Sequence, residues 1–440
     1  MKRLKPCIIL AGIVALFLAG CSFRTVNEMY RLPKRSEAYR DLQSAIDVAM
    51  SGCDYCAPLA GEQRQTVQMA DLDGDKQDEY LLFAKGTSDL PLRIMVFDKI
   101  EDEFVHIDTI ESSGTGFDQV EYVQMDTKPG VELVVGRQLS DQVIRSLSVY
   151  TFSNGECEQL LSTNYSKFLT ANLDTDSYYE LVVIRPGQLE TDRGVVELYS
   201  VEKGNVERSL EVNMSESVDK LKRILIGRLH EGQPAVYLAS TVGDSALITD
   251  VYALVDGVFT NVSFSNESGT SVQTMRNYYV YAEDIDADGV VELPFLVTMS
   301  PLVPISSDAS QYLIRWYAMT IDGGEVDKLY TYHNFVGGWY MEVDSAWASR
   351  LTVTQQGNDY SFYLWDEARE HSEKIMTLSA LTGQNRLEQS KENGRIELYK
   401  TEAVIYTARL EAAAQQYHIT AETVTKGFHM IHQEWKTGET

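Results

Sequence analysis

Asp71-Leu72-Asp73-Gly74-Asp75-Lys76-Gln77-Asp78-Glu79, with the apolar run Tyr80-Leu81-Leu82-Phe83 behind it, is the stretch on which the reading of this 440-residue chain turns. Aspartates crowded around a glycine make a turn, and the apolar residues after them make a strand. The frame recurs as Gln124-Met125-Asp126-Thr127-Lys128-Pro129-Gly130-Val131-Glu132, Asn172-Leu173-Asp174-Thr175-Asp176-Ser177-Tyr178-Tyr179-Glu180 and Asp284-Ile285-Asp286-Ala287-Asp288-Gly289-Val290-Val291-Glu292. Each copy has its glutamate six residues after the frame's third position, and an apolar strand follows at 133–135, 181–184 and 293–296. A degenerate copy at 228–236 puts Leu229 and His230 where the others have an apolar residue and an aspartate. The third positions, 73, 126, 174, 230 and 286, lie 53, 48, 56 and 56 residues apart.

A second marker keeps nearly the same period. Aromatic residues near strand ends, Phe97, Tyr150, Tyr199, Tyr252, Tyr317 and Trp365, are mostly followed by turn pairs such as Asn154-Gly155, Lys203-Gly204, Asp256-Gly257 and Gly323-Gly324. Each unit therefore reads as a strand into the acidic turn, a strand out of it, and a hairpin. Four antiparallel strands repeated at this period predict an all-β fold, a β-propeller of six or seven four-stranded blades, because radial stacking shields edges that a lone sheet exposes. The period excludes a β-solenoid, and separate sandwiches need units of roughly a hundred residues. Blades are expected near 65–112, 117–165, 168–213, 217–265, 275–333 and 338–382, where the sixth keeps only Asp344 of the loop frame. A hairpin at 395–399 and 403–407 gives a partial seventh over 390–407. A short helix at 36–50, with Ser36 as cap and Leu42, Ile46 and Met50 on one face, precedes the 65–407 body. A helix at 420–435, with Val424, Phe428 and Ile431 on one side, closes it within the segment 408–440.

Oxygen atoms at loop positions 1, 3, 5, 7 (through the backbone) and 9 wrap a calcium ion, which takes six to eight oxygens. Asp71, Asp73, Asp75, the carbonyl of Gln77 and Glu79 fit that series, as do Asp284, Asp286, Asp288, the carbonyl of Val290 and Glu292. Asn172, Asp174, Asp176, the carbonyl of Tyr178 and Glu180 make a third site, one charge poorer. Lys128 stands where the second loop needs a ligand, and its ammonium is expected to replace the ion there; the loop at His230 has no carboxylates at the odd positions. An EF-hand needs a glutamate at position 12, which here is Leu82 or Phe295. The loop followed by an apolar strand resembles the FG-GAP or VCBS-type repeat of integrin-like propellers and bacterial surface proteins, over roughly 65–335. The FG-GAP signature itself is not spelled out. That resemblance implies structural calcium that staples strands within a blade, and binding surfaces made by loops on a propeller face. The whole chain also resembles bacterial lipoproteins of this build, which lend it no activity.

Lys2, Arg3 and Lys5 precede an apolar run at 8–19, too short to span a bilayer and suited to a secretory leader over 1–20. Leu18-Ala19-Gly20-Cys21 resembles the lipobox of bacterial lipoproteins, which implies a diacylglycerol on Cys21, cleavage before it, and a tether within 21–64. Acyl chains bury at about 0.8 kcal/mol per methylene, enough to hold such a chain outside the cytoplasm on the cell membrane or outer membrane. The net charge is −27; loss of the three leader cations leaves 35 basic against 65 acidic side chains, or −30. So acidic a chain excludes nucleic acid as a partner. Of the five cysteines, Cys7 leaves with the leader and Cys53 and Cys56 are expected to pair as a disulfide, with Cys157 left over.

The seven histidines form no H-E-x-x-H, and His429 with His432 lacks an acidic third ligand. No nucleophile elbow, phosphate loop or dinucleotide fingerprint is present. Tyr278, Tyr279 and Tyr281, or Trp339 and Tyr340, read as core ahead of a sugar or peptide site. The sequence thus points to a non-catalytic binding or scaffold module for protein or glycan. The alternative is a propeller hydrolase acting on polysaccharide or peptide through two carboxylates.

Overall fold

The computed structural model describes residues 37–431 except 102, 140–144, 154, 188–191, 203–204, 300–311 and 367–369. The leader, Cys21, the tether, Ser36, the turn residues Asn154, Lys203 and Gly204, His432 and the end of the expected closing helix lie outside them.

The fold is all-β with few helices: six antiparallel sheets follow one another along the chain. In the first, Val67–Ala70 enters the acidic loop, Glu79–Lys85 leaves it, and Leu92–Ile100 with Glu103–Ser112 completes the hairpin, with Asp54–Tyr55 added at Glu79–Lys85. Sheets two and four repeat this order with four strands each, and sheet three adds the short strand Val212–Asn213. The two sequence markers keep step because they are cross-strand neighbours. The residue after the frame's glutamate pairs with the marker aromatic, as Tyr80 with Phe97, Leu133 with Tyr150, Leu181 with Tyr199 and Leu293 with Tyr317. Pairs of this kind, apolar against aromatic, are the ones that stabilise a sheet.

Consecutive sheets stack face to face. Leu133 and Val135 join Leu81, Phe83 and Ile94 in the core between sheets one and two, while Val134 faces Leu181 and Val183 of sheet three. Val182 and Ile184 meet Val236 and Leu238 of sheet four, and Ala235 and Tyr237 meet Leu293 and Tyr317 of sheet five. Leu313, Trp339 and Met341 of sheet five meet Val353, Phe362 and Leu378 of sheet six. Strands buried on both faces carry unbroken apolar runs, which is why 181–184 shows no alternation in sequence.

Closure of the stack into a ring is not found among the described residues. The outward residues of sheet one, Leu82, Ala84, Met95 and Phe97, pack on Leu42 and Ile46 of the helix Glu37–Ala49. The opposite end, the outer face of sheet six, is polar.

The carboxyl-terminal third departs from the expected blade limits. Trp339–Val343 pairs with Glu325–Asn334 and so belongs to sheet five. Ile396–Lys400 and Ile405–Leu410, expected to begin a seventh blade, are the last strands of sheet six, because Ile405–Leu410 pairs with His371–Leu381. The closing helix is only Ala421–Lys426, with a capping box at Thr420; Gly427 follows, and Phe428–Met430 is a strand on the edge of sheet five. Asp344 holds no loop but caps the short helix Ser345–Ala348 by accepting from the Ala346 N–H at 2.8 Å.

Candidate metal centres

Each acidic loop is closed by its ninth residue. The Leu72 N–H donates to Glu79 Oε2 at 2.6 Å, Met125 to Glu132 at 2.7 Å, Leu173 to Glu180 at 2.7 Å and Ile285 to Glu292 at 3.1 Å. All four glutamates are buried. Burial pushes the carboxyls of Glu79 and Glu180 up to about 7 and that of Glu292 up to about 8. A carboxylate so placed demands a proton or a cation.

In three loops the cation's partners are assembled. Carboxylate oxygens of Asp71, Asp73 and Glu79 lie within 4.8 Å of one another, as do those of Asp174, Asp176 and Glu180, and of Asp284, Asp286 and Glu292. The donors are all oxygen, as a hard divalent cation requires. Two buried oxygens fit such an ion: Glu292 Oε1 and Asn172 Oδ1 make no hydrogen bond among the described residues. The fifth-position aspartates behave differently. Asp75, Asp176 and Asp288 accept the N–H of Gln77, Tyr178 and Val290, the residues expected to lend carbonyls, at 2.7, 2.6 and 2.9 Å. Asp75 and Asp288 are absent from the groups of converging oxygens.

The tethered cation is not where the spacing placed it. Lys128 is exposed and pairs with no loop carboxylate among the described residues; Glu132 instead takes a long hydrogen bond from Thr151 at 3.4 Å. The ammonium that does enter a loop belongs to Lys328, which bonds Asp288 and lies 3.9 Å from Glu292 Oε1. Lys328 is the extra residue of a β-bulge opposite Trp316 and Tyr317. The same bulge holds Ile107 in sheet one, Leu160 in sheet two and Ile375 in sheet six, all apolar. Nothing in the loop's own spacing announces a residue 36 positions beyond Glu292. The position-12 residues Leu82 and Phe295 lie in strands, so no EF-hand is formed.

The loops also touch one another. The N–H at position 8 donates to the position-1 carbonyl of the preceding loop: Val131 to Asp71 at 3.1 Å, Tyr179 to Gln124 at 2.9 Å and Val291 to Arg228 at 3.0 Å. Gly74, at φ +80°, leaves no room for a Cβ against Pro129, and Gly130 none against the Leu72 carbonyl. These bonds link loops one to three and the degenerate fourth to the fifth, and the Gln233 side-chain amide bridges the gap by donating to the Leu173 carbonyl at 2.8 Å.

Other expected site residues resolve simply. Cys53 and Cys56 are free thiols and do not pair: Cys53 packs toward the amino-terminal helix and Cys56 toward the core between sheets one and two, on opposite faces of sheet one. Burial, with Asp108 beside it, pushes the Cys157 thiol up to about 12. Trp339 and Tyr340 are buried. His429 lies on a strand, stacks on Tyr340 at 4.8 Å and pairs with Glu342 at 2.8 Å. A cavity of about 470 Å³ opens between the fifth loop and this pair, lined by Asp284, Asp286, Tyr340, Glu342 and His429. Beside it, sharing Leu329 and Glu342, a second cavity of about 620 Å³ is lined by Lys328, Trp347, Arg350 and Tyr417. No helix among the described residues is long and apolar enough to cross a membrane.

No family model and no curated protein matches the chain. Among solved structures it is similar to the rhamnogalacturonan lyase YesW (12% identity over 73% of this chain and 67% of that one, TM-score 0.28). It is similar to the Bacillus licheniformis rhamnogalacturonan lyase PL11 (11%, 81% and 72%, TM-score 0.29) and to Chaetomium thermophilum Sqt1 (11%, 80% and 97%, TM-score 0.31). Scores of this size leave the architecture to be read from the sheets themselves.

Proposed function

We propose that this chain is an extracytoplasmic lipoprotein, anchored through Cys21, whose six sheets are propeller-type blades stiffened by calcium and serving as a non-catalytic binding module for protein or glycan. The ion holds its loop rigid: Asp71, Asp73 and Glu79 in the first, Asp174, Asp176 and Glu180 in the third, Asp284, Asp286 and Glu292 in the fifth. Lys328 competes for the fifth, so the first and third fill before it.

The observation that carries the binding role is the pair of adjoining cavities at the last strands of sheet five, between the fifth loop and the short helices that follow. Trp347 and Tyr417 offer half-buried rings, Arg350 sits 5.8 Å over the Tyr417 ring, and Glu342 stands between the two spaces. Rings beside hydrogen-bonding side chains suit a sugar or a peptide. Glycan and peptide arrays on the detergent-solubilised protein test this. Glu342→Gln is expected to lose binding, and Trp347→Ala to lose it while staying folded with a lower melt, since the ring also packs on the core; binding that survives both substitutions removes the cavities from the account. Cleavage of the bound oligomer, abolished by Glu342→Gln, would establish the hydrolase alternative instead. Cys21→Ser is expected to free the protein from membranes, and unchanged membrane retention refutes the anchor.

A further inference from the structure

The stack ends on a face that differs from every other in the molecule. In sheet six, Phe362, Met376 and Ala408 turn inward to the core shared with sheet five. The alternate residues form two cross-strand rows on the outside: Ser361, Thr377 and Arg409 in one, Asp359, Ser379 and Thr407 in the other. In the sheets that have a neighbour this face is apolar.

A cavity of about 110 Å³ lies on these rows, lined by Thr377, Ser379, Lys374, Arg395, Arg409 and Asp359. Thr377 and Ser379 are 6% and 1% exposed, and neither hydroxyl makes a hydrogen bond among the described residues. A buried hydroxyl left unpaired is costly, so the pair asks for a partner that the described residues do not supply. Around it stand three cations in a chain of net charge −27. Arg409 donates to Glu411 at 3.0 Å and Lys374 lies 4.0 Å from the same carboxylate. Arg395 donates to the Thr407 hydroxyl at 3.1 Å and has no ion pair among the described residues.

We propose that this outer face of sheet six binds one compact oxyanion, with Arg395 and Arg409 matching its charge and the Thr377 and Ser379 hydroxyls donating to its oxygens. Guanidinium and hydroxyl donors converging in a confined space are the chemistry that holds sulfate, phosphate or carboxylate. The cavity is small beside the two at the fifth loop, about 110 Å³ against about 470 and 620 Å³, which suits a compact group. The group is either a free ion or the acidic substituent of a glycan chain that continues outside. The site is independent of the acidic loops, which lie at the mouths of other sheets.

Calorimetry on the full chain in detergent, at constant ionic strength, separates these sources. Sodium sulfate and inorganic phosphate probe the free ion, and oligogalacturonate probes a carboxylate carried by a polysaccharide. Saturable uptake of one ion per chain is expected, weakened roughly tenfold in Arg395→Gln. Ser379→Ala, which removes a hydroxyl and no charge, is expected to weaken it while melting no lower than the wild type in anion-free buffer. Tighter uptake of oligogalacturonate than of either inorganic ion assigns the group to a glycan, and the reverse assigns a free oxyanion. No saturable uptake of any probe, or uptake undiminished in Arg395→Gln, overturns the proposal.

Discussion

The first and fifth acidic loops carry the same ligand series in sequence, and the structure makes them different objects. Both bring aspartates at positions 1 and 3 together with a buried glutamate at position 9. In the first, the bulge residue of the neighbouring strand is Ile107, which packs into the core. In the fifth it is Lys328, whose ammonium lies on Asp288. A loop's affinity for an ion thus depends on what a strand three elements away delivers into it.

The sharpest way to break this comparison is to neutralise the buried glutamates. With calcium at a hundredfold excess over its Kd, Glu79→Gln is expected to lose the linkage stabilisation of one site, about 2.7 kcal/mol. In chelator the sign reverses, because glutamine keeps the acceptor for Leu72 without a buried charge. Glu292→Gln is expected to show a smaller loss, since Lys328 already offsets its charge. Equal losses in urea titrations of the two variants would contradict the distinction.

Sheet five also carries an acid-sensitive histidine, where the histidine of sheet one, His106, is exposed. The half-buried His333 packs its ring on Trp316, Phe335 and Tyr340, and the burial of its ring nitrogens holds the imidazole down at about 3. The unfolded chain, with an ordinary histidine near 6.5, binds the proton that the folded chain refuses. The histidine's contribution is therefore full above pH 6.5 and is lost below it, about 2 kcal/mol by pH 5, against the opposite slope of the buried glutamates. His333→Phe is expected to flatten that slope in pH-dependent melts; an unchanged slope places the acid sensitivity elsewhere.

A smaller effect separates the two lysines. Lys328→Met is expected to raise calcium affinity at the fifth loop about tenfold, as loss of a competing charge interaction worth roughly 1.4 kcal/mol allows, and to leave the first loop alone. Lys128→Ala, at an exposed site, is expected to change stability by less than about 0.5 kcal/mol and the ion count not at all. Titration calorimetry on both variants checks the pair.

The repeat, the four-strand unit, the helix Glu37–Ala49 and the loop carboxylates are all legible in the sequence, because each is written in contiguous residues or in markers that recur every 48–56 residues. Leu42 and Ile46 face the core as their helical spacing requires. What the sequence concealed depends on pairing between distant strands. Trp339–Val343 joins sheet five, Ile405–Leu410 joins sheet six, and Phe428–Met430 returns to an edge formed about 85 residues earlier. Lys328 enters the fifth loop only because a bulge turns it there. The C-x-x-C spacing suggested a disulfide, but the chain between the two thiols crosses sheet one's edge and leaves them on opposite faces. The role of the ninth-position glutamate in bonding the Leu72, Met125, Leu173 and Ile285 N–H groups was missed, although its recurrence in the ion-poor second loop was a signal that it serves the turn as well as the metal.

The most direct measurement is native mass spectrometry of the detergent-released protein, with thermal melts before and after chelation. Two retained calcium ions per chain at low micromolar calcium, a third only at higher concentration, and a lower melting temperature once they are stripped are the expected result. A metal-free chain whose melt ignores both calcium and chelator contradicts the account.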